Sequence, residues 1–211
     1  MGNLLAIISI AIVCDGTSDL CIQDLIQEIA DSSFPELAFR ITAAREVIPA
    51  HGSLAQRLRR AYNDYEPNII VCHRDAESMP LDDRISEINT AQATAGIPIP
   101  VVAAVPVKMI ESWLLTDPTA IRCAADNKNG STNLDLPQTR KIERLADPKQ
   151  TLFLALRTAS DLSAQRLRKF NEHRARSRVA SFMKDFGELR KLNSFVNFES
   201  LLINAIDMQT R

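Results

Sequence analysis

Apolar runs alternate with amphipathic stretches along the first half of the chain. The strand-like runs are Ile7–Cys14, Leu37–Ile48, Asn68–Cys72 and Val101–Val107. Three helical apolar stripes lie between them. The first spans Asp19–Ala30, the second follows Ser53, which is suited to cap a helix, and the third spans Leu81–Ala95. Continuous Val, Ile and Ala runs separated by helices are typical of parallel strands that are buried on both faces. The pattern predicts a β-α-β-α-β-α-β unit of the α/β class, with a four-stranded parallel sheet that ends near residue 107.

After residue 107 the pattern becomes helical. Met109–Leu115 predicts a short helix in which Trp113 packs in the core, and Asp126–Leu136 is a polar loop. Further helices are predicted at 138–145, 148–159, 163–185, 187–192 and 197–207. We therefore expect an α/β domain over residues 1–120 and a helical C-terminal region over residues 121–211 that packs on it.

Composition narrows the class of protein. The chain is 45% hydrophobic and 24% charged with a net charge of -1, as in ordinary folded proteins, so any attraction to nucleic acid must be local. The four cysteines form no C-x-x-C pair, which favours a reducing compartment. The apolar run Leu4–Val13 is too short for a membrane span, and no basic residue precedes Arg40 as a signal peptide requires. We expect a cytoplasmic protein without membrane association.

Acidic clusters follow the first and third predicted strands. They read Asp15-Gly16-Thr17-Ser18-Asp19 and His73-Arg74-Asp75-Ala76-Glu77. The carboxyl ends of strands line the ligand crevice of an open α/β sheet, and carboxylates from two strands suit Mg²⁺ or Mn²⁺. In an extended segment Asp75 and Glu77 point to the same side. For Asp15 and Asp19 the alternative role is helix capping.

Three further residues have competing roles. Arg74 is suited to stabilising charge on a phosphate, or to an ion pair with Asp75 or Glu77. For His73, hydrogen bonding at the strand end is favoured over proton transfer. Glu111 completes a metal shell, or else occupies a first helical turn where the macrodipole favours a carboxylate.

A basic cluster lies in the helical region. It is suited to holding a phosphate backbone without reading its sequence, and the alternative is a solvated helix face. The residues predicted to bind nucleic acid are Arg166, Arg168, Lys169, Arg174, Arg176 and Arg178.

These motifs resemble the TOPRIM domain of topoisomerases, primases and overcoming-lysogenization-defect nucleases. The resemblance covers residues 5–120 and rests on the strand before Asp15-Gly16 and on the strand before Asp75-x-Glu77. Glu111-x-Trp113 and His73–Ala76 are similar to segments of uncharacterised TOPRIM-like families that are associated with ATPase partners in bacterial defence loci.

The resemblance implies a Mg²⁺-dependent nuclease or nicking subunit in anti-phage defence, with a separate ATPase partner. It carries over Asp15, Asp75 and Glu77 as catalytic residues and metal ligands. To these the positions of the neighbouring residues add Arg74 as a catalytic residue and Asp19 and Glu111 as metal ligands. Asp15 replaces the Glu that is usual in the family, and Glu77 replaces an Asp. A degenerate module that holds metal or a phosphorylated ligand without cleaving is therefore the alternative, and a metal-dependent phosphotransferase is a third.

The sequence also limits what can be predicted about nucleotide hydrolysis, substrate and assembly. The chain has no G-x-x-x-x-G-K-[ST] loop and only six glycines, so any ATPase activity is expected from another chain. The sequence leaves open whether the substrate is DNA or RNA and whether the chain forms homo-oligomers.

Overall fold

A four-stranded parallel sheet organises the molecule, as predicted. The computed structural model describes residues 7–45 and 52–211. Within them the strands are β1 (Ile7–Val13), β2 (Ala38–Ala43), β3 (Ile69–His73) and β4 (Val101–Ala104). The spatial order is β2-β1-β3-β4, and every neighbouring pair is parallel. The two central strands, β1 and β3, are those that precede the acidic clusters.

Helices connect the strands, as crossovers in parallel sheets require. They are α1 (Ile22–Ser33), which follows a 3-10 turn over Thr17–Cys21, α2 (Leu54–Tyr65) and α3 (Leu81–Ala95). Ser53 caps α2 as predicted: its hydroxyl accepts a hydrogen bond from the Gln56 N–H, and the Gln56 side chain accepts one from the Ser53 N–H. This reciprocal pair fixes where α2 begins.

The two faces of the sheet belong to two hydrophobic clusters. Ile10 and Ile12 point to the face that α1 covers, whereas Ala11 and Val13 point to the face that α2 and α3 cover. Successive strand residues alternate between faces, so this division continues to the carboxyl ends of the strands. The alternation therefore determines which helices each residue of the candidate site contacts.

The C-terminal helices extend the cluster on the α1 face. They are α4 (Glu111–Leu114), α5 (Pro118–Ala124), α6 (Thr139–Ile142), α7 (Pro148–Ala159), α8 (Ala164–Leu167), α9 (Glu172–Phe182), a 3-10 turn (Leu189–Lys191) and α10 (Asn193–Gln209). Trp113 is fully buried, as expected, and stacks on Phe198 with ring centroids 5.5 Å apart. Its indole N–H donates to Ser194 Oγ at 2.9 Å. The helical region therefore shares one core with the sheet.

Several predicted boundaries differ from the structure. The single helix predicted over 163–185 is wrong, because α8 ends at Leu167 and the Asn171 side chain caps a new helix by accepting from the Arg174 N–H at 2.9 Å. The second strand ends at Ala43, and residues 46–48 of its predicted range, like residues 4–6 of the first apolar run, lie outside the described residues. The helix predicted from residue 197 begins earlier, at Asn193.

No helix in the part of the chain that the structure describes is both long enough and apolar enough to cross a membrane.

Candidate functional site

The candidate site lies at the carboxyl edge of the sheet between β1 and β3. The chain leaves β1 toward β2 on one side and later returns to β3 on the other, so this edge is the switch point where open α/β sheets bind ligands. The segment after β4 reaches the same place, since the Ile110 N–H donates to Asp75 Oδ1 at 3.0 Å. Three strand ends therefore contribute to one crevice.

Three carboxylates surround His73 and Arg176 on the α1 face, and we call these five residues the acidic cluster. His73 Nδ1 lies 4.0 Å from Asp19 Oδ2, and His73 Nε2 lies 3.5 Å from Asp75 Oδ1. Arg176 Nε donates to Glu111 Oε1 at 3.0 Å, and its guanidinium lies 3.7 Å from Asp19 Oδ1. The cluster thus joins the ends of β1, β3 and β4 to helix α9.

Negative charge dominates the acidic cluster. Burial raises the pKa of Asp75 to about 8, and the nearby carboxylates of Asp19 and Glu111 add to the shift. Arg176 is the only cation paired with these carboxylates within the described residues, and it is 4% exposed. Ionisation of Asp75 is therefore opposed unless a further cation comes close.

His73 is the most unusual polar group of the cluster. It is 1% exposed, and burial lowers its pKa, so the ring is neutral at physiological pH. Among the described residues neither ring nitrogen has a hydrogen-bond partner, and the prediction that His73 simply hydrogen-bonds at the strand end is wrong. A buried polar group without a partner is costly, so its retention beside Asp19 and Asp75 suggests a chemical role.

Asp15 takes part in a second group, which we call the arginine clamp. Its two carboxylate oxygens accept hydrogen bonds from Arg57 Nη1 at 2.6 Å and from Arg74 Nε at 3.1 Å. Arg74 also donates to Glu87, which accepts from Arg84 Nη1 at 2.6 Å. Burial opposes ionisation of Asp15, but the two arginines outweigh it and lower the pKa. Asp15 stays ionised and fixed between two guanidinium groups.

Strand alternation explains why the site has two groups. His73 is on the face of β3 that meets α9, and the next residue, Arg74, is directed to the face of α2 and α3. Asp15 joins the second face because Arg57 of α2 holds it there and also donates to the main-chain carbonyl that precedes it. The predicted Asp15 and Asp75 therefore have different immediate partners.

Glu77 is exposed to solvent and lies outside both groups. Strand β3 ends at His73, and Glu77 adopts a left-handed conformation with φ of 54° while its N–H donates to the Lys108 carbonyl at 2.9 Å. The segment is not extended, so the expectation that Asp75 and Glu77 point to the same side of a strand is wrong. Arg74 forms ion pairs as one alternative held, but with Asp15 and Glu87 instead of Asp75 or Glu77.

Neither Asp15 nor Asp19 caps a helix in the described structure. The 3-10 turn that follows β1 begins at Thr17, and its N-cap position is Gly16, which has no side chain to cap it. Glu111, by contrast, does occupy the first turn of α4, and it also pairs with Arg176. The alternative role, in the first turn of a helix, is thus confirmed, and the role of Glu111 as a metal ligand stays a prediction.

The predicted nucleic-acid-binding residues divide between surface and interior. Arg166, Arg168, Lys169 and Arg174 are exposed, and Arg178 pairs with Asp126 at 2.8 Å. Arg176 is buried in the acidic cluster, so its predicted place on a phosphate-binding surface is wrong.

The site lacks a ready-made metal cage: within residues 7–45 and 52–211, no three His, Cys, Asp or Glu side chains are arranged to hold an ion. The donor chemistry nonetheless fits a hard cation, because Asp19, Asp75 and Glu111 offer carboxylate oxygens whose charges repel one another. Comparisons of the chain with protein-family models, curated proteins and solved structures give no match. The function is therefore argued from the site itself.

Proposed function

We propose that this chain is a Mg²⁺- or Mn²⁺-dependent phosphodiesterase of TOPRIM type that acts on nucleic acid. The observation that carries the proposal is the acidic cluster, where Asp19 and Glu111 help to raise the pKa of Asp75 to about 8 at the ligand-binding edge of the sheet. Surplus negative charge of this kind attracts a divalent cation, which would ionise Asp75.

Asp19, Asp75 and Glu111 would hold the cation. A divalent ion in such a place polarises a phosphodiester and activates water for attack. Arg176 pairs with both Glu111 and Asp19, so within the described residues Asp75 is the carboxyl of the cluster that has no Arg or Lys partner. Neutral His73, 3.5 Å from Asp75, is placed to accept or return a proton at Nε2.

The wider role follows the resemblance alone. We extend the proposal to a cytoplasmic bacterial defence protein that works with a separate ATPase, since the sequence has no phosphate-binding loop of its own.

A second function, ligand binding without cleavage, is favoured by the arginine clamp. Asp15 corresponds to the first acidic residue of the TOPRIM pattern, yet Arg57 and Arg74 occupy both of its oxygens. A site that uses this carboxylate for structure would bind metal or a phosphorylated ligand and leave the phosphodiester intact.

Cleavage of supercoiled plasmid, single-stranded DNA and RNA with Mg²⁺ or Mn²⁺ tests the first function. We expect wild type to cleave and Asp75→Ala to lose activity by about 10²-fold or more, because removing one electrostatic catalytic group typically costs that much. Asp83→Asn, which changes an exposed carboxylate on α3, is the matched control and should retain activity.

The midpoint of thermal unfolding with and without Mg²⁺ separates the two functions, because a ligand that binds only the folded state stabilises it. A rise in Tm for wild type that Asp75→Ala loses, without any cleavage, would favour the binding module. If Mg²⁺ neither raises Tm nor supports cleavage, both proposals fail. Retained cleavage in Asp75→Ala would remove the acidic cluster from the mechanism.

A further inference from the structure

Helices α8 and α9 enclose a cavity of about 230 Å³ on the surface of the helical region. Its charged lining consists of Arg166, Lys169, Arg174, Arg178 and Asp126. We call it the basic cavity. Four cationic side chains thus converge on one concave surface in a chain whose net charge is -1.

The positive charge of the basic cavity is largely unbalanced. Asp126, the one acid in its lining, is paired with Arg178, since Arg178 Nη1 donates to Asp126 Oδ1 at 2.8 Å. Within the described residues Arg166, Lys169 and Arg174 form no ion pair. Three cations that share a concave surface without carboxylate partners make an anion-binding site favourable there.

Helix α9 links the basic cavity to the acidic cluster. Arg174 and Arg178 are four residues apart and share its outer face, whereas Arg176 lies about half a turn away and reaches Glu111. One short helix therefore contacts an anion site on one side and the proposed reaction centre on the other.

An aromatic ring completes the lining. Phe170 is half-buried: it packs against the hydrophobic cluster of the α1 face and also lines the cavity, between Lys169 and the cap of α9. Cationic side chains beside an aromatic ring are the combination with which proteins hold single-stranded nucleic acid, whose bases are free to stack on the ring. The bases of a duplex are already stacked on one another inside it, so none of them can stack on Phe170.

We propose that the basic cavity binds a backbone phosphate of single-stranded nucleic acid, with the adjoining base against Phe170. This inference rests on the proposed action on nucleic acid and specifies its substrate as single-stranded. Arg166, Lys169 and Arg174 hold the phosphate, and Arg178 joins them when Asp126 releases it.

Fluorescence anisotropy of a short labelled DNA single strand, measured with the full chain in EDTA, tests the inference. Because no metal is present, the assay measures strand binding and does not depend on cleavage. Failure of the nuclease proposal can therefore be distinguished from failure of the proposed binding site. Arg166→Ala and Lys169→Ala should each weaken binding about 5-fold, the upper range for one exposed charge pair. Each should also lower the salt dependence of binding, by at most about 0.7 in the log-log slope, the value for one whole phosphate contact on a single strand.

Arg168→Ala is the matched control. Arg168 is equally exposed and lies between the two tested residues, but it is not among the described residues that line the cavity. It should bind within 2-fold of wild type. A loss of affinity equal to that of Arg166→Ala would show that diffuse surface charge holds the strand. It would overturn the proposal that the basic cavity is the binding site.

Two further variants test the details. Asp126→Asn should tighten binding because it frees Arg178, and Phe170→Leu should weaken binding to the single strand while a folded core is retained. A labelled duplex of the same sequence should bind more weakly than the single strand, and equal affinity would overturn the proposed preference. Absence of single-strand binding by folded wild type would overturn the inference, whatever the plasmid assay shows.

Discussion

At the scale of single residues, the carboxyl group of Asp75 combines two properties that compete. It lies where a cation is needed for the proposed function, and without a cation its ionisation is opposed by burial and by Asp19 and Glu111. Protein sites of this kind give up stability for function. Asp75 should therefore destabilise the fold when no metal is present.

Asp75→Asn should stabilise the metal-free protein in a pH-dependent way. The pKa of Asp75 rises from 3.8 to about 8 on folding, so below pH 3.8 both folded and unfolded chains are protonated and the carboxyl has no effect. Between these values the unfolded chain ionises while the folded chain holds its proton, so stability of the wild type falls as pH rises. The Asn side chain keeps the acceptor for the Ile110 N–H and removes this loss.

Thermal unfolding in EDTA from pH 4 to pH 8 checks this prediction. The difference in Tm between Asp75→Asn and wild type should grow through that window and then level off. Asp83→Asn, on the exposed side of α3, supplies the comparison. Parallel curves for Asp75→Asn and wild type would mean that folding does not raise the pKa of Asp75.

At the scale of elements, three helices each direct one buried arginine to the carboxyl edge of the sheet. Arg57 of α2, Arg84 of α3 and Arg176 of α9 are 4%, 8% and 4% exposed. Each occupies a position in the apolar stripe of its helix: Arg57 with Leu58 and Ala61, for example. The guanidinium groups therefore reach the strand ends along the core instead of from solvent.

The position of these arginines explains which parts of the site the sequence could predict. The periodicity of apolar residues predicted the strands and the helices between them, and the strand ends located the acidic residues. Arg176 was predicted to belong to a surface run of charged residues, although Val179 and Ala180 place it on a buried stripe of α9. A charged residue at a core-facing position was the available signal. Its partner was not predictable, because Glu111 lies 65 residues earlier in the chain.

Arg176→Met should be strongly destabilising. It would leave Glu111, which is 3% exposed, without its cation, and breaking a buried ion pair typically costs about 3–5 kcal/mol. The free energy of unfolding in urea measures the effect. Adding Glu111→Gln to Arg176→Met should recover part of the loss, because the unpaired buried charge is gone.

The comparison for this variant is Arg174→Met. Arg174 is exposed on the same helix, so its replacement should change stability by less than about 0.5 kcal/mol. If Arg176→Met is equally mild, the acidic cluster does not depend on the guanidinium group.

At the scale of the whole molecule, the α/β unit and the helical region share one hydrophobic core. The buried cluster on the α1 face contains residues of β1 and α1 together with residues of α7, α9 and α10. Helix α10 packs on β3 and β4, and α9 supplies Arg176 to the site. The division at residue 120 predicted from sequence separates two patterns of elements, yet both contribute to one core.

A fragment of residues 1–120 should therefore fail to form a native structure. It would expose the face of the sheet that the C-terminal helices cover, and we expect it to bind the dye ANS and to lack a cooperative thermal transition. The control is the full chain cut at a protease site inserted at the exposed Ser131, whose two pieces should stay associated. A cooperative transition in the isolated fragment would establish two independent domains.

The single tryptophan of the chain gives this shared core an optical reporter. Trp113 belongs to α4 at the edge of the sheet unit, whereas its ring partners and its hydrogen-bond acceptor, Ser194, belong to α10. Separation of α10 from the sheet would bring the indole into water and break its hydrogen bond, and its emission would shift to longer wavelength. The intact protein thus carries, without any label, a fluorescence signal for the attachment of its last helix during folding or binding.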